Sequence, residues 1–208
     1  MKNICVIDDD PVVLRALTRL LGSAGFAAHG FDSPQQFFAQ TDLDTVNCVV
    51  VDFAMPFMNG LQVQQTLHES FRHCPVIFLT GRADISTSVQ AMKAGAIDFL
   101  VKPVDADTLI EAVHNALAYN ATMLVRYREW DMLNSRYINL TRREQQVFSG
   151  VITGQLNKQI AADLGTSEKT IKAHRAQVMQ KMAASSLAEL VHFAERLRNA
   201  GVIGTKVQ

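Results

Sequence analysis

Four short apolar runs, Ile4 to Ile7, Val49 to Val51, Val76 to Leu79 and Phe99 to Val101, are each followed at once by a polar residue: Asp8, Asp52, Thr80 and Lys102. Each run is about strand length and rich in Val, Ile, Leu or Phe, and helix-period segments lie between them. Such alternation leaves little choice but a parallel sheet with helices on both faces, because parallel neighbours need long crossover connections. In that architecture the carboxyl ends of the strands share one rim, and ligands bind there, near the point where the strand order reverses. Asp8, Asp9, Asp52, Thr80 and Lys102 are therefore expected to converge, although they are far apart in sequence.

An acidic run before Pro11 reads on its own as a helix N-cap. Asp10 suffices for that role, which leaves Asp8 and Asp9 unexplained until Asp52 is set beside them. Three carboxylates brought together repel unless a hard dication shares them, and Mg²⁺ takes oxygen ligands, usually one or two carboxylates with phosphate and water. Such a site suits phosphoryl transfer: a carboxylate attacks in line while cations take up charge on the phosphoryl oxygens. Asp52 is the expected nucleophile, since it ends the most apolar run and opens the loop Phe53-Ala54-Met55-Pro56. Lys102 supplies a mobile cation and Thr80 a hydroxyl. A strand-end Thr is ordinarily a turn residue and a Lys before Pro a surface one; it is their joint placement that favours the functional reading.

Asp8-Asp9, Asp52 within VVVDFAMPFMNG, Thr80-Gly81 and Phe99-Leu-Val-Lys102-Pro103 resemble the signature of two-component receiver domains over about residues 1–120. The resemblance implies an α/β, flavodoxin-like (CheY-like) fold: a doubly wound five-stranded parallel sheet of strand order 2-1-3-4-5. It further implies phosphorylation of Asp52 by a cognate sensor histidine kinase. Mg²⁺, with Mn²⁺ able to substitute, would be held by Asp8, Asp9, Asp52 and the Ala54 carbonyl. Thr80 and Phe99 fall on switch positions, whose reordering remodels the face of the fourth helix and fifth strand. Two residues depart from many relatives, which carry polar or acidic groups there to position the hydrolytic water: Ala54, two after Asp52, and Arg82, two after Thr80.

The formal charge balances to zero over the chain but not along it. Residues 1–137 hold 10 Lys and Arg against 15 Asp and Glu, and residues 138–208 hold 10 against 5. A basic C-terminal part suggests a polyanionic partner. Between the two parts, a helix starting at Asp105 or Asp107 runs through Leu109, Val113 and Leu117, and residues 121–138 continue it as a helical linker. Residues 139–208 lack strand signals and divide into four short helices. Thr141-Arg-Arg-Glu144 fits a capping box, Gly154 and Gly165 end helices, and Ser167 caps a third helix running to about Met182. On that helix Ile171, His174, Val178 and Met182 face inward. Lys169, Lys172, Ala173 and Ala176 form a small, basic outward stripe, as a recognition helix requires, although a solvated lysine face has the same pattern.

The stretch LTRREQQVF, with Asn157-Lys158-Gln-Ile160-Ala161, Leu164-Gly165 and Ser167-Glu-Lys-Thr170-Ile171-Lys172-Ala-His174-Arg175, is similar to the LuxR-type four-helix, helix-turn-helix DNA-binding domain over about residues 138–200. The resemblance implies that Lys172 and Ala173 meet bases while Lys158, Ser167, Lys169, Thr170 and Arg175 hold phosphates. It also implies that Ser185 or Ser186 opens the last helix. Ala176 replaces a larger polar residue of some members.

Together the parts, at 1–120, 121–138 and 139–208, resemble the NarL and FixJ response regulators, closest to the FixJ branch. That resemblance implies phosphorylation-driven homodimerisation through a surface bearing Val89, Lys93 and Asp98, binding to an inverted repeat in promoter DNA, and contact with RNA polymerase, most simply as an activator. A cytoplasmic location without membrane attachment is expected, since no apolar stretch approaches the roughly 20 residues of a bilayer span. Cys5, Cys48 and Cys74 form no metal-ligand spacing and read as buried thiols. From another class, an aspartyl-phosphate phosphohydrolase would use a similar sheet, but such enzymes need an acid where Ala54 stands.

Overall fold

In the computed structural model, which describes residues 1–70, 74–81, 89 and 91–203, the apolar runs are strands of one sheet. These are β1 (Asn3–Ile7), β2 (Ala27–Phe31), β3 (Cys48–Asp52), β4 (Val76–Thr80) and β5 (Asp98–Val101), all paired in parallel in the order β2-β1-β3-β4-β5. The central strands β3 and β4 are buried at every position, as strands covered on both faces must be. Their alternate side chains divide between two apolar layers. Val49, Val51 and Phe78 enter one with Phe37, Val63 and Leu67, while Val50, Ile77 and Leu79 enter the other with Leu17, Leu21, Leu109 and Val113.

Helices α1 (Pro11–Ser23), α2 (Pro34–Gln40) and α3 (Gly60–Ser70) follow β1, β2 and β3. Asp10 caps α1 through Oδ1, accepting from the amides of Val12 and Val13, so Asp8 and Asp9 are indeed spare. A single helix, α4, spans Ala106–Ile138 and contains all of residues 121–138. Asp105 starts it by accepting from the Thr108 amide and hydroxyl.

The chain divides into two compact units, Met1–Leu124 and Val125–Gln208. The second holds the end of α4 and helices α5 (Arg142–Ile152), α6 (Asn157–Asp163), α7 (Glu168–Met182) and α8 (Leu187–Asn199). Leu133 and Tyr137 of α4 pack into its core with Val147, Phe148, Ile160, Ile171, Val178 and Leu190. The Tyr137 ring meets Phe148 edge-on at 5.3 Å. Among the described residues, no helix is long and apolar enough to cross a membrane.

Candidate functional site

At the carboxyl rim the ladder continues one step past the strands. The amide of Asp8 bonds to Phe31 O, that of Phe53 to Leu79 O and that of Lys102 to Thr80 O. Asp8, Lys102 and the residue after Asp52 are thereby tied to the neighbouring strand, and the polar side chains gather at the rim. Asp8 is 1% exposed, Asp52 6% and Thr80 5%. Lys102 reaches across the sheet to both carboxylates, with Nζ 2.5 Å from Asp8 Oδ2 and 2.6 Å from Asp52 Oδ1. The other oxygen of each carboxylate accepts from backbone: Asp8 Oδ1 from the Asp10 amide, Asp52 Oδ2 from the Ala54 amide.

Two carboxylates on one ammonium leave the pocket short of positive charge. Burial pushes the Asp52 carboxyl above its ordinary range and the charge of Asp8 adds to this, while Lys102 and the Ala54 amide pull the other way without prevailing. Burial works against the Lys102 cation too, but its bonds to Asp52 and Asp8 outweigh that and raise it. A second cation would relieve this deficit. Among the described residues no three His, Cys, Asp or Glu side chains form a ready-made metal cage. Oxygen ligands of this kind, completed by a carbonyl and water, suit a hard cation such as Mg²⁺. Asp9 is exposed at the pocket's edge and Ala54 is exposed beside Asp52.

Phe99 is half-buried, and its ring packs against Phe53 and Phe78, with centroids 5.8 and 6.4 Å apart. This aromatic trio links the Thr80 strand to the loop after Asp52. Gly60 closes that loop, since a Cβ there would stand 2.9 Å from Asp52 O and 2.8 Å from the Phe78 ring. Of the expected dimer surface, Val89 and Lys93 are exposed, whereas Asp98 is half-buried and accepts from the Phe99 amide. Arg82 lies outside the described residues.

In the second unit, Thr141 and Glu144 form the capping box on α5, and Ser167 caps α7 by accepting from the Thr170 amide. The turn between α6 and α7 passes through Gly165 at φ +62°, a conformation that favours glycine. On α7, Ile171, Val178 and Met182 are buried and His174 half-buried, while Lys169, Thr170, Lys172, Ala173 and Ala176 are exposed. Lys158 and Ser167 are exposed as well; Arg175 is half-buried and donates to Asn157 Oδ1. Ser186, not Ser185, caps α8.

Two contacts that brace this helix pair carry no local signal in the sequence. Arg143 donates to Leu164 O at 2.6 Å, holding the turn, and Lys181 bonds to Glu144 Oε2 at 2.7 Å. The Lys181 bond, with the amide and hydroxyl of Thr141 and against the opposing effect of burial, holds the Glu144 carboxyl below its ordinary 4.5. A carboxyl lowered in this way stabilises the fold above its unfolded value and ceases to as pH falls through its folded value. Glu144→Ala is expected to cost about 2 kcal/mol near neutral pH through the lost cap and ion pair. The difference from wild type should shrink below pH 4.5. Denaturant unfolding followed by Trp130, the chain's one tryptophan and a residue of this unit, reads both.

Residues 4–114 match the response regulator receiver domain family, and residues 138–194 match the luxR family of bacterial regulatory proteins. The chain is 39% identical over 197 residues to the response regulator protein TodT of Pseudomonas putida, covering 95% of this chain and 87% of TodT. It is 37% identical to the transcriptional regulatory protein FixJ of Bradyrhizobium diazoefficiens, covering 93% of this chain and 95% of FixJ. Among solved structures, response regulator StyR superposes with a TM-score of 0.79 at 40% identity, covering 94% of this chain and 98% of StyR. Full-length FixJ from B. japonicum superposes with a TM-score of 0.56 at 36% identity, covering 98% of each.

Proposed function

The chain belongs to the NarL/FixJ-type response regulators, DNA-binding regulators of two-component systems that join a receiver to a LuxR-type domain, and from that premise we propose that Asp52 is its phosphoacceptor and residues 158–175 its DNA-contacting surface. The observation that carries this reading is the bridge from Lys102 to both Asp8 and Asp52. It puts a cation beside a buried carboxylate that is deficient in positive charge.

In the reaction an Asp52 oxygen attacks phosphorus, the bond to the histidine nitrogen of the cognate sensor kinase breaks, and the released imidazole regains a proton from solvent. Asp8, Asp9, Asp52 and the Ala54 carbonyl would hold Mg²⁺ or Mn²⁺, which supplies charge neutralisation at the phosphoryl oxygens when bound. Lys102 turns from Asp52 to the new phosphoryl group, and the Thr80 hydroxyl donates to it. Phe99, coupled to Phe53 and Phe78, follows Thr80. The face with Val89, Lys93 and Asp98 then favours a symmetric dimer, whose two α7 helices meet the half-sites of an inverted repeat. Lys172 and Ala173 would read bases, and Lys158, Ser167, Lys169, Thr170 and Arg175 would hold phosphates. Activation would proceed through RNA polymerase, in the cytoplasm.

The phosphohydrolase alternative is not favoured, because a DNA-binding domain occupies the C-terminal unit. Only slow self-dephosphorylation is expected, since the Ala54 methyl cannot orient water. Ala54→Asn should shorten the phosphoryl lifetime by about tenfold, within what water positioning contributes; an unchanged decay of the ³²P label would refute this role. For the function as a whole, the chain is labelled with acetyl phosphate, and its binding to promoter DNA is titrated against salt with and without the label. Equal affinity in both states would end the proposal.

A further inference from the structure

The loop after Asp52 is fastened at both ends and still holds one aromatic ring in water. The Ala54 amide bonds to the Asp52 carboxylate and the Gly60 amide to Phe53 O, while Phe53, Met55 and Met58 pack onto the core below. Phe57, between them, is 98% exposed. Its φ is +67°, and the Met58 amide bonds across it to Pro56 O at 2.8 Å. A bond from residue i+2 to residue i over a positive φ makes the rare, strained form of γ-turn. Among the described residues the one other non-glycine with positive φ is Ala183, at the end of α7. A phenylalanine is a poor choice for such a turn, which Asn or Gly enters more easily. A ring so exposed also contributes almost no burial to this chain's own stability.

Position limits what covers the ring. Asp52 is 6% exposed, so a macromolecular donor must settle onto the strand ends to bring a phosphoryl group in line with it. Phe57 stands on that rim, as do exposed Val12, at the start of α1 after β1, and exposed Val101, at the end of β5. We propose that Phe57 is the apolar anchor that seats the phosphohistidine-bearing donor protein over Asp52. The proposal rests on Asp52 being the acceptor. In the seated complex the phosphorus–nitrogen bond breaks as the bond to the Asp52 oxygen forms, and the imidazole takes its proton from solvent. A small donor such as acetyl phosphate has no apolar surface to match and does not use the anchor.

The test compares two donors on two variants. Phe57→Asn keeps a residue suited to positive φ and removes the ring, while Phe57→Tyr keeps the ring. The protein donor is the autophosphorylated histidine-kinase core that labels the wild-type chain fastest among those of the source organism. With this core, Phe57→Asn should lower kcat/KM by about 10- to 100-fold, chiefly through KM, as loss of an interface anchor does. Phe57→Tyr should restore it, and labelling by acetyl phosphate should match wild type in both variants. Unchanged transfer from the kinase core overturns the proposal, and so does an equal loss with acetyl phosphate, which would mean a distorted pocket. Loss of dimerisation in Phe57→Asn, with kinase transfer intact, would assign the ring to a second copy of the chain instead. Label persisting in Asp52→Asn would overturn the acceptor assignment and the anchor together.

Discussion

Asp52→Asn should lose phosphoryl acceptance from acetyl phosphate by on the order of 10³-fold or more, as removal of a nucleophile does, and should nevertheless melt at a higher temperature than wild type in metal-free buffer. The loss follows because the remaining pocket carboxylates, Asp8 beneath Lys102 and Asp9 at the exposed edge, do not end the strand at the centre of the rim. The gain in stability follows from the sign of the Asp52 shift. Burial and the neighbouring Asp8 raise its carboxyl. A raised carboxyl favours the fold below its unfolded value and disfavours it once pH exceeds its folded value. Once pH exceeds that folded value, the wild-type pocket bears an ionised group that the fold resists, and an amide removes it. Lys102 keeps Asp8 as its partner. A melt by differential scanning calorimetry, repeated with Mg²⁺, checks the second half. Wild type should gain stability from the ion and the variant gain less, because it lacks one carboxylate. A variant that both fails to label and melts lower would show damage to the fold and leave the nucleophile unassigned.

The rim was legible because its residues close strands whose apolar runs are short, continuous and buried on both sides. β3 and β4 have no exposed position, so nothing polar interrupts the pattern until the rim is reached. β2 was not legible from its own residues. Ala27-Ala-His-Gly-Phe31 is an edge strand with exposed His29 and Gly30 and one buried residue, Phe31, and an edge needs little apolar surface to remain paired. The loop FAMPFMNG illustrates a different limit. Its aromatic and methionine residues look alike in sequence, but Phe53, Met55 and Met58 pack and Phe57 does not. What separates them is one γ-turn, set by backbone bonds to Pro56 and Phe53 that no pattern of side chains announces. In the second unit the caps could be read because they are local, three residues apart. Arg143 to Leu164 and Glu144 to Lys181 join positions 21 and 37 residues apart, so only the folded chain brings them together.

Lys172→Ala should weaken specific promoter binding by about 1–3 kcal/mol per half-site while leaving the domain folded. The folding half is safe because Lys172 is exposed, takes no part in the Ser167 cap, and lies away from buried Ile171, Val178 and Met182. Its neighbours on the outward stripe are Lys169 and the alanines at 173 and 176, all exposed, so only small or flexible side chains face a major groove. Lys169→Ala separates the two kinds of contact. A lysine on phosphate should lose affinity for all sequences alike and lower the salt slope by about 1, whereas a lysine on a base edge should lose discrimination more than slope. If the phosphorylated chain binds as the proposed symmetric dimer, it should show about twice the free-energy penalty of one domain on a half-site. Gel-shift titrations on matched and scrambled DNA at several salt concentrations resolve all of these. If Lys172→Ala falls equally on both DNAs, α7 merely lies along the backbone and the basic stripe is an electrostatic footprint. If only the matched DNA suffers, base sequence is read through that one side chain and the methyl surface beside it.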